Sequence, residues 1–190
     1  HKKEKREWSR PENRLLSGDS PLIWIDTPSA IENKKWNETR ERGYRNDEEV
    51  KIIKGIMKEL TPKKRNIKIL TPYKAQKTRL QKVLKEFDCV NTVDEFQGKE
   101  ADIVILSLVR NNKNTKVRSR WGFMIDPTRL NVMFSRAKQV LIIIGSLTHI
   151  ENTDFNKEEG CTDELLKISK AFRSRAMILR PEEIEMEMKR

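Results

Sequence analysis

Ala101-Asp-Ile-Val-Ile-Leu-Ser-Leu-Val109 is almost unbroken apolar sequence, rich in β-branched residues and bounded by polar segments. A run of that kind reads as a central strand covered on both faces. Val140-Leu-Ile-Ile-Ile-Gly145 is a second one. Leu22–Asp26, Ile67–Thr71 and Cys89–Val93 read as further, shorter strands. Helical patterns lie between them. Asn46 is placed to cap a helix, with Glu49 completing a capping-box pair and Val50, Ile53, Met57 and Leu60 repeating at helical spacing until Thr61-Pro62. Lys74–Phe87 carries Leu80, Val83, Leu84 and Phe87 on one face. Asp126 followed by Pro127 starts a helix expected to run to about Ala137, and residues 162–173 form a closing helix. Strands alternating with helices define an α/β fold, a doubly wound and mainly parallel sheet with helices on both faces. Residues 27–45 and 111–122 are expected as loops. The organisation read from this pattern is a loose lead-in over 1–20, one domain over 21–175 and a tail over 176–190.

At 190 residues the chain has room for one core of ordinary size. Its charge of +11 is concentrated: residues 61–86 hold nine Lys/Arg against one acid, and residues 110–138 hold eight against one. Clustered cations favour a polyanion through counterion release; a solvated surface is the plainer alternative. The partner reading is preferred because both segments hold or flank polar runs that border the apolar strands. Two cysteines far apart and two histidines give no zinc spacing, so no metal site is expected. No apolar run spans a bilayer and no signal-peptide pattern opens the chain, so an intracellular protein without membrane attachment is expected. The chain begins with His1 rather than Met, and a preceding segment is expected.

Two polar runs sit beside the apolar strands, where an α/β sheet places its ligands: Thr92-Val-Asp-Glu-Phe-Gln-Gly-Lys-Glu100 and Asp126-Pro-Thr-Arg-Leu-Asn-Val-Met-Phe-Ser-Arg-Ala-Lys138. A phosphate-cradling Gly-x-x-x-x-Gly-Lys-Ser/Thr is absent. Gly98-Lys99, the one Gly-Lys pair, is followed by Glu100 and has no glycine five places before it. Thr71-Pro-Tyr-Lys-Ala-Gln76 follows a strand and opens a helix, so backbone amides with Tyr73 and Lys74 can face a phosphate. The alternative is an ordinary turn with Tyr73 packed and Gln76 in solvent.

These runs resemble motifs V, VI and IV of superfamily 1 helicases, in the second RecA-like domain of the branch typified by the RNA helicase of nonsense-mediated decay. Trp121-Gly-Phe-Met-Ile-Asp126 is similar to the family's lead into motif VI. The resemblance implies ATP, with Mg²⁺, bound jointly with a first RecA-like domain that carries the P-loop. It implies an arginine finger at Arg136 and nucleotide contacts from Gln97, Gly98 and Glu100. It further implies single-stranded RNA or DNA against Pro72, Tyr73, Lys74, Thr92 and Asp94, with Arg110 and Asn111 as further candidates. Movement in this branch is commonly 5′ to 3′. For Arg129 a salt bridge on the helix surface is an equal alternative to a role in the cleft. Met133-Phe134-Ser135 departs from the small residues the family usually places before the finger but keeps a hydroxyl. A second reading is a nucleic-acid-binding or docking module derived from a helicase and free of catalysis.

Overall fold

The computed structural model describes residues 20–60 and 66–187. The lead-in over residues 1–19 and the Thr61-Pro62 helix stop lie outside the described residues.

Strand β1 (Leu22–Asp26) is followed by a 3-10 turn at Lys34–Trp36 and a short antiparallel hairpin, β2 (Thr39–Arg40) and β3 (Tyr44–Arg45). These elements occupy the stretch expected as a loop. Helix α1 (Asp47–Glu59) starts at Asn46, whose side-chain oxygen accepts from the amides of Glu48 and Glu49. Then come β4 (Ile67–Thr71), α2 (Lys74–Val83), β5 (Val90–Thr92) and β6 (Ala101–Ser107). Residues after β6, expected as a loop, contain α3 (Val117–Trp121). Helix α4 (Pro127–Phe134) is capped by Asp126 with Pro127 in its first turn, and stops three residues short of Ala137. Ala137 instead opens β7 (Ala137–Gly145), the longest strand. The chain continues through α5 (Leu147–Glu151), α6 (Glu164–Arg173), β8 (Met177–Leu179) and α7 (Pro181–Glu187).

Six strands form one sheet in the order β5-β4-β6-β7-β1-β8, and every pairing within it is parallel. Helices cover both faces, as in RecA-like α/β domains. Side-chain alternation divides the interior into two cores. Ile23, Ile25, Ile103, Ile105, Ile142 and Ile144 face α1 and α2. Trp24, Val104, Leu106, Leu141 and Ile143 face α4 and α6. Burial on both sides is what turns β6 and β7 into continuous apolar runs. Trp24, fully buried, donates its indole N–H to the Gly145 carbonyl at 2.9 Å and so satisfies its one polar group.

Of residues 176–190, expected as a tail, those described, 176–187, extend the fold. Strand β8 pairs with β1 at the sheet edge, and Ile184 of α7 is buried against α1. The three residues of β8 are too few and too modestly buried to make a period-2 pattern.

Candidate functional site

Because the sheet is parallel, its strands present two distinct edges, and the sequence motifs divide between them. Residues 93–100 run from the carboxyl end of β5 to the amino end of β6. Their turn is locked locally. The Glu95 amide donates to Thr92 Oγ1 at 3.3 Å, and Glu95 Oε2 accepts from the Thr92 amide at 2.9 Å, a reciprocal capping arrangement. Lys77 holds the same carboxylate at 2.7 Å, and hydrogen bonding to Lys77 keeps the Glu95 carboxyl below its ordinary range. Phe96 anchors the turn in the core. Thr92 is thereby buried and occupied, whereas Asp94, Gln97, Gly98, Lys99 and Glu100 are exposed. Gly98 has φ +77°, and a Cβ there would meet nothing within 4 Å. The glycine is needed for its backbone conformation, and the space above it is open to an approaching group.

Arg136 sits on the short link between α4 and β7, not on the end of a helix. Its carbonyl accepts from the Ala101 amide at 3.1 Å, and Ala101 pairs with Ala137. Glu100 and Arg136 therefore immediately precede two neighbouring parallel strands, at their amino ends. The expectation of a ligand site at the carboxyl ends does not describe this half of the constellation. The Arg136 side chain is half-buried, and its Nε is sealed from solvent with no hydrogen-bond partner among the described residues. A cationic donor left in that state is costly unless something supplies an acceptor. Glu100 meets Lys138 at 3.5 Å, with both side chains about half exposed, which is a weak surface pair. Arg129 lies over the Phe123 ring at 4.5 Å and reaches Asp126 only at 4.0 Å.

The carboxyl edge holds the other group. Lys74, the first residue of α2, is exposed. Tyr73 precedes it without offering a side-chain cap, while Gln76 in the same turn is fully buried. Thr71 and Pro72 are buried, and Tyr73 is 7% exposed. The Tyr73 ring packs on Tyr44 and Phe123, and its hydroxyl donates to the Trp121 carbonyl at 3.4 Å. Burial raises the Tyr73 pKa. Trp121 is an anchor, 1% exposed, with its indole N–H on Thr153 Oγ1 at 3.1 Å.

Arg110 and Asn111, candidate ligand contacts in the sequence, lie in the interior. Arg110 stacks on Tyr44 at 3.9 Å, donates to the Arg120 and Ser119 carbonyls and pairs with Glu38 at 3.3 Å. The Asn111 side chain accepts from the Ala30 amide at 2.7 Å and donates to the Pro28 carbonyl at 2.9 Å. Their polar groups are taken up by the chain itself, so both shape the loop after β6 instead of facing a ligand.

A buried polar network under this edge was not legible in the sequence. Gln76, fully buried, donates to Ser107 Oγ at 2.9 Å and accepts from the Asn46 amide at 2.9 Å. Ser107 donates in turn to Glu49. Only the spacing of Asn46 and Glu49 hinted at it, and that spacing reads as helix capping. Among the described residues no group of three or more His, Cys, Asp or Glu is placed to hold a metal ion, and no helix is long and apolar enough to cross a membrane.

An all-parallel RecA-like sheet thus carries, among the described residues, a half-buried arginine and an exposed glycine at one edge and an uncapped helix start at the other. Residues 1–148 match the AAA domain family AAA_12, and the chain belongs to that family, within the superfamily 1 helicases of the branch typified by the nonsense-mediated-decay helicase. It is 44% identical over 126 residues to the probable helicase senataxin of Homo sapiens, covering 60% of this chain and 5% of that protein. It is 35% identical over 136 residues to the DNA polymerase alpha-associated DNA helicase A of Saccharomyces cerevisiae, covering 67% and 19%. An uncharacterised ATP-dependent helicase of Methanocaldococcus jannaschii is 34% identical over 162 residues, covering 84% and 22%. The chain thus spans less than a quarter of the length of each of these relatives.

Proposed function

We propose that this chain is the second RecA-like domain of an ATP-dependent helicase, acting with a first RecA-like domain that carries the P-loop. The observation that carries the reading is Arg136: a half-buried arginine, one strand away from Glu100, whose Nε has no hydrogen-bond partner among the described residues. Phosphoryl transfer is catalysed mainly by positioning and by stabilising charge, and a guanidinium supplied from an opposing surface contributes strongly. Arg136 presents that guanidinium to the transferring phosphoryl group of ATP. Gln97 and the exposed backbone at Gly98 approach the phosphates, and the Glu100 carboxylate accepts from ribose hydroxyls. Mg²⁺, carried with the nucleotide and ligated by the other domain, neutralises phosphate charge when bound.

Single-stranded RNA or DNA lies along the carboxyl edge, against Lys74, Asp94 and the uncapped start of α2. From within, Pro72, Tyr73 and Thr92 fix that backbone. Closure on ATP and reopening after hydrolysis move this edge along the strand, in the 5′ to 3′ direction common to the branch. The chain by itself, lacking a phosphate cradle, has negligible ATPase activity. Arg136→Ala in a protein containing both domains is the test: ATP turnover should be nearly lost while strand binding is largely kept. Unchanged turnover would remove the finger assignment.

A further inference from the structure

Beside the carboxyl edge, a cleft of about 350 Å³ is lined by Asn37, Glu38, Arg40, Tyr44, Asn112, Lys113 and Asn114, a volume within the range of small-ligand sites. It belongs to neither motif group. Its floor is Glu38, a carboxylate only 5% exposed. One oxygen is saturated: Glu38 Oε2 accepts from the Asn111 amide at 2.7 Å and from Asn112 Nδ2 at 3.1 Å, and lies 3.3 Å from Arg110 Nε. The other oxygen, Oε1, has no partner among the described residues and is not sealed from solvent. Desolvation pushes the Glu38 pKa up against the pull of Arg110. The Glu38 backbone is also pinned, its amide donating to the Asn111 carbonyl at 2.8 Å. The cleft therefore holds a carboxylate in fixed orientation, beside the side-chain amides of Asn37, Asn112 and Asn114. The exposed cations Arg40 and Lys113 stand at its rim, and the Tyr44 ring forms a wall.

We propose that this cleft is a base-selective subsite for the bound strand, in which Glu38 Oε1 accepts a hydrogen bond from the exocyclic amine of a nucleobase. The site rests on the strand-binding reading above and adds base preference to it. Arg40 and Lys113 meet the adjoining phosphates. A carboxylate accepts from the cytosine amine, whereas uracil presents a carbonyl oxygen at the same position and is repelled. Amine-bearing bases are favoured over uracil and thymine. A substitution sharpens the assignment. Three donors hold the Oε2 position, so in Glu38→Gln the amide oxygen stays with them and the amide nitrogen turns towards the cleft. The subsite then offers a donor where it offered an acceptor.

The experiment measures fluorescence anisotropy of the 190-residue chain with labelled oligocytidine, oligouridine and oligo-N4,N4-dimethylcytidine of equal length and at equal salt. Wild-type chain should bind oligocytidine about tenfold more tightly than oligouridine, and dimethylation should abolish the advantage. Glu38→Gln should reduce or invert the preference, whereas Arg40→Ala should weaken all three oligomers alike. Equal affinity for the three on the wild-type chain, with salt-dependent binding retained, overturns the subsite and leaves strand binding standing. Absence of binding to any of them overturns both. The dimethylated oligomer needs no variant, so the result does not depend on whether Glu38→Gln folds.

Discussion

The Glu49 carboxyl accepts the Ser107 hydroxyl at 2.5 Å, while both its oxygens lie 3.1 Å from the amide of Val109, a non-glycine residue held at φ +70°. A buried acid on α1 thus fixes the strained turn at which β6 gives way to the loop bearing Arg110 and Asn111. Burial raises its pKa from 4.5 to about 8. The folded pKa lies above the unfolded one, so between those values the folded chain keeps a proton that the unfolded chain has released. The Glu49 contribution to stability therefore falls as pH rises from 4.5 to about 8, by about 1.4 kcal/mol per pH unit at its steepest. Urea denaturation between pH 6.5 and about 8 should show the fall, and Glu49→Gln should flatten it.

His149 opposes this dependence. It is fully buried beside Arg120, whose guanidinium lies 2.9 Å from its Nδ1, and desolvation with that charge lowers its pKa from 6.5 to about 3. The folded chain keeps the ring neutral while the unfolded chain protonates it, so stability is lost as pH falls from 6.5 to about 3. Between pH 4.5 and 6.5 the two slopes offset one another. In the same urea series, His149→Asn should remove the acid-side loss and leave the alkaline-side fall of Glu49 intact.

Gly145 and Gly98 separate two reasons for a glycine. A Cβ at Gly145 would lie 2.6 Å from Leu108 Cδ1 and 3.1 Å from its Cβ, inside the core. Gly145→Ala should destabilise by about 2–3 kcal/mol through overpacking. At Gly98 the space is open and only the backbone conformation resists, so Gly98→Ala should cost about 1 kcal/mol. Urea midpoints at constant m-value measure both.

Ending the chain at residue 175 removes β8 and α7. Losing the buried Ile184 alone costs about 2 kcal/mol, so the thermal midpoint should drop by at least about 4 °C. An unchanged midpoint would show that these elements are a dispensable tail.

Much of the fold was legible because burial leaves a local trace. β6 and β7 are buried on both faces and so read as apolar runs; Asn46 and Asp126 cap helices through their own side chains, and the sequence places them. Where an element is short or half-covered the trace fades: β8 and the β2–β3 hairpin left no period to find. Helix α4 was read too long because the same residues suit a helix end or the start of β7, and pairing with Ala101 decides between them.

For the site, the sequence by itself determined which residues are at issue: Gln97, Gly98, Glu100 and Arg136 in one group, Tyr73, Lys74, Thr92 and Asp94 in the other, with no phosphate cradle on the described or remaining chain. Only the tertiary structure decided which of them face outward. It placed the first group at the amino ends of β6 and β7, sealed Tyr73 and Thr92 inside, and used up Arg110 and Asn111 on partners such as Glu38, 73 residues away from Asn111. It also turned Glu49 from its expected cap towards Ser107, 58 residues on. The physical reason is range. Hydrophobic period and capping act within one or two turns of chain, whereas the partner that satisfies a buried charge is chosen by the packing of distant segments.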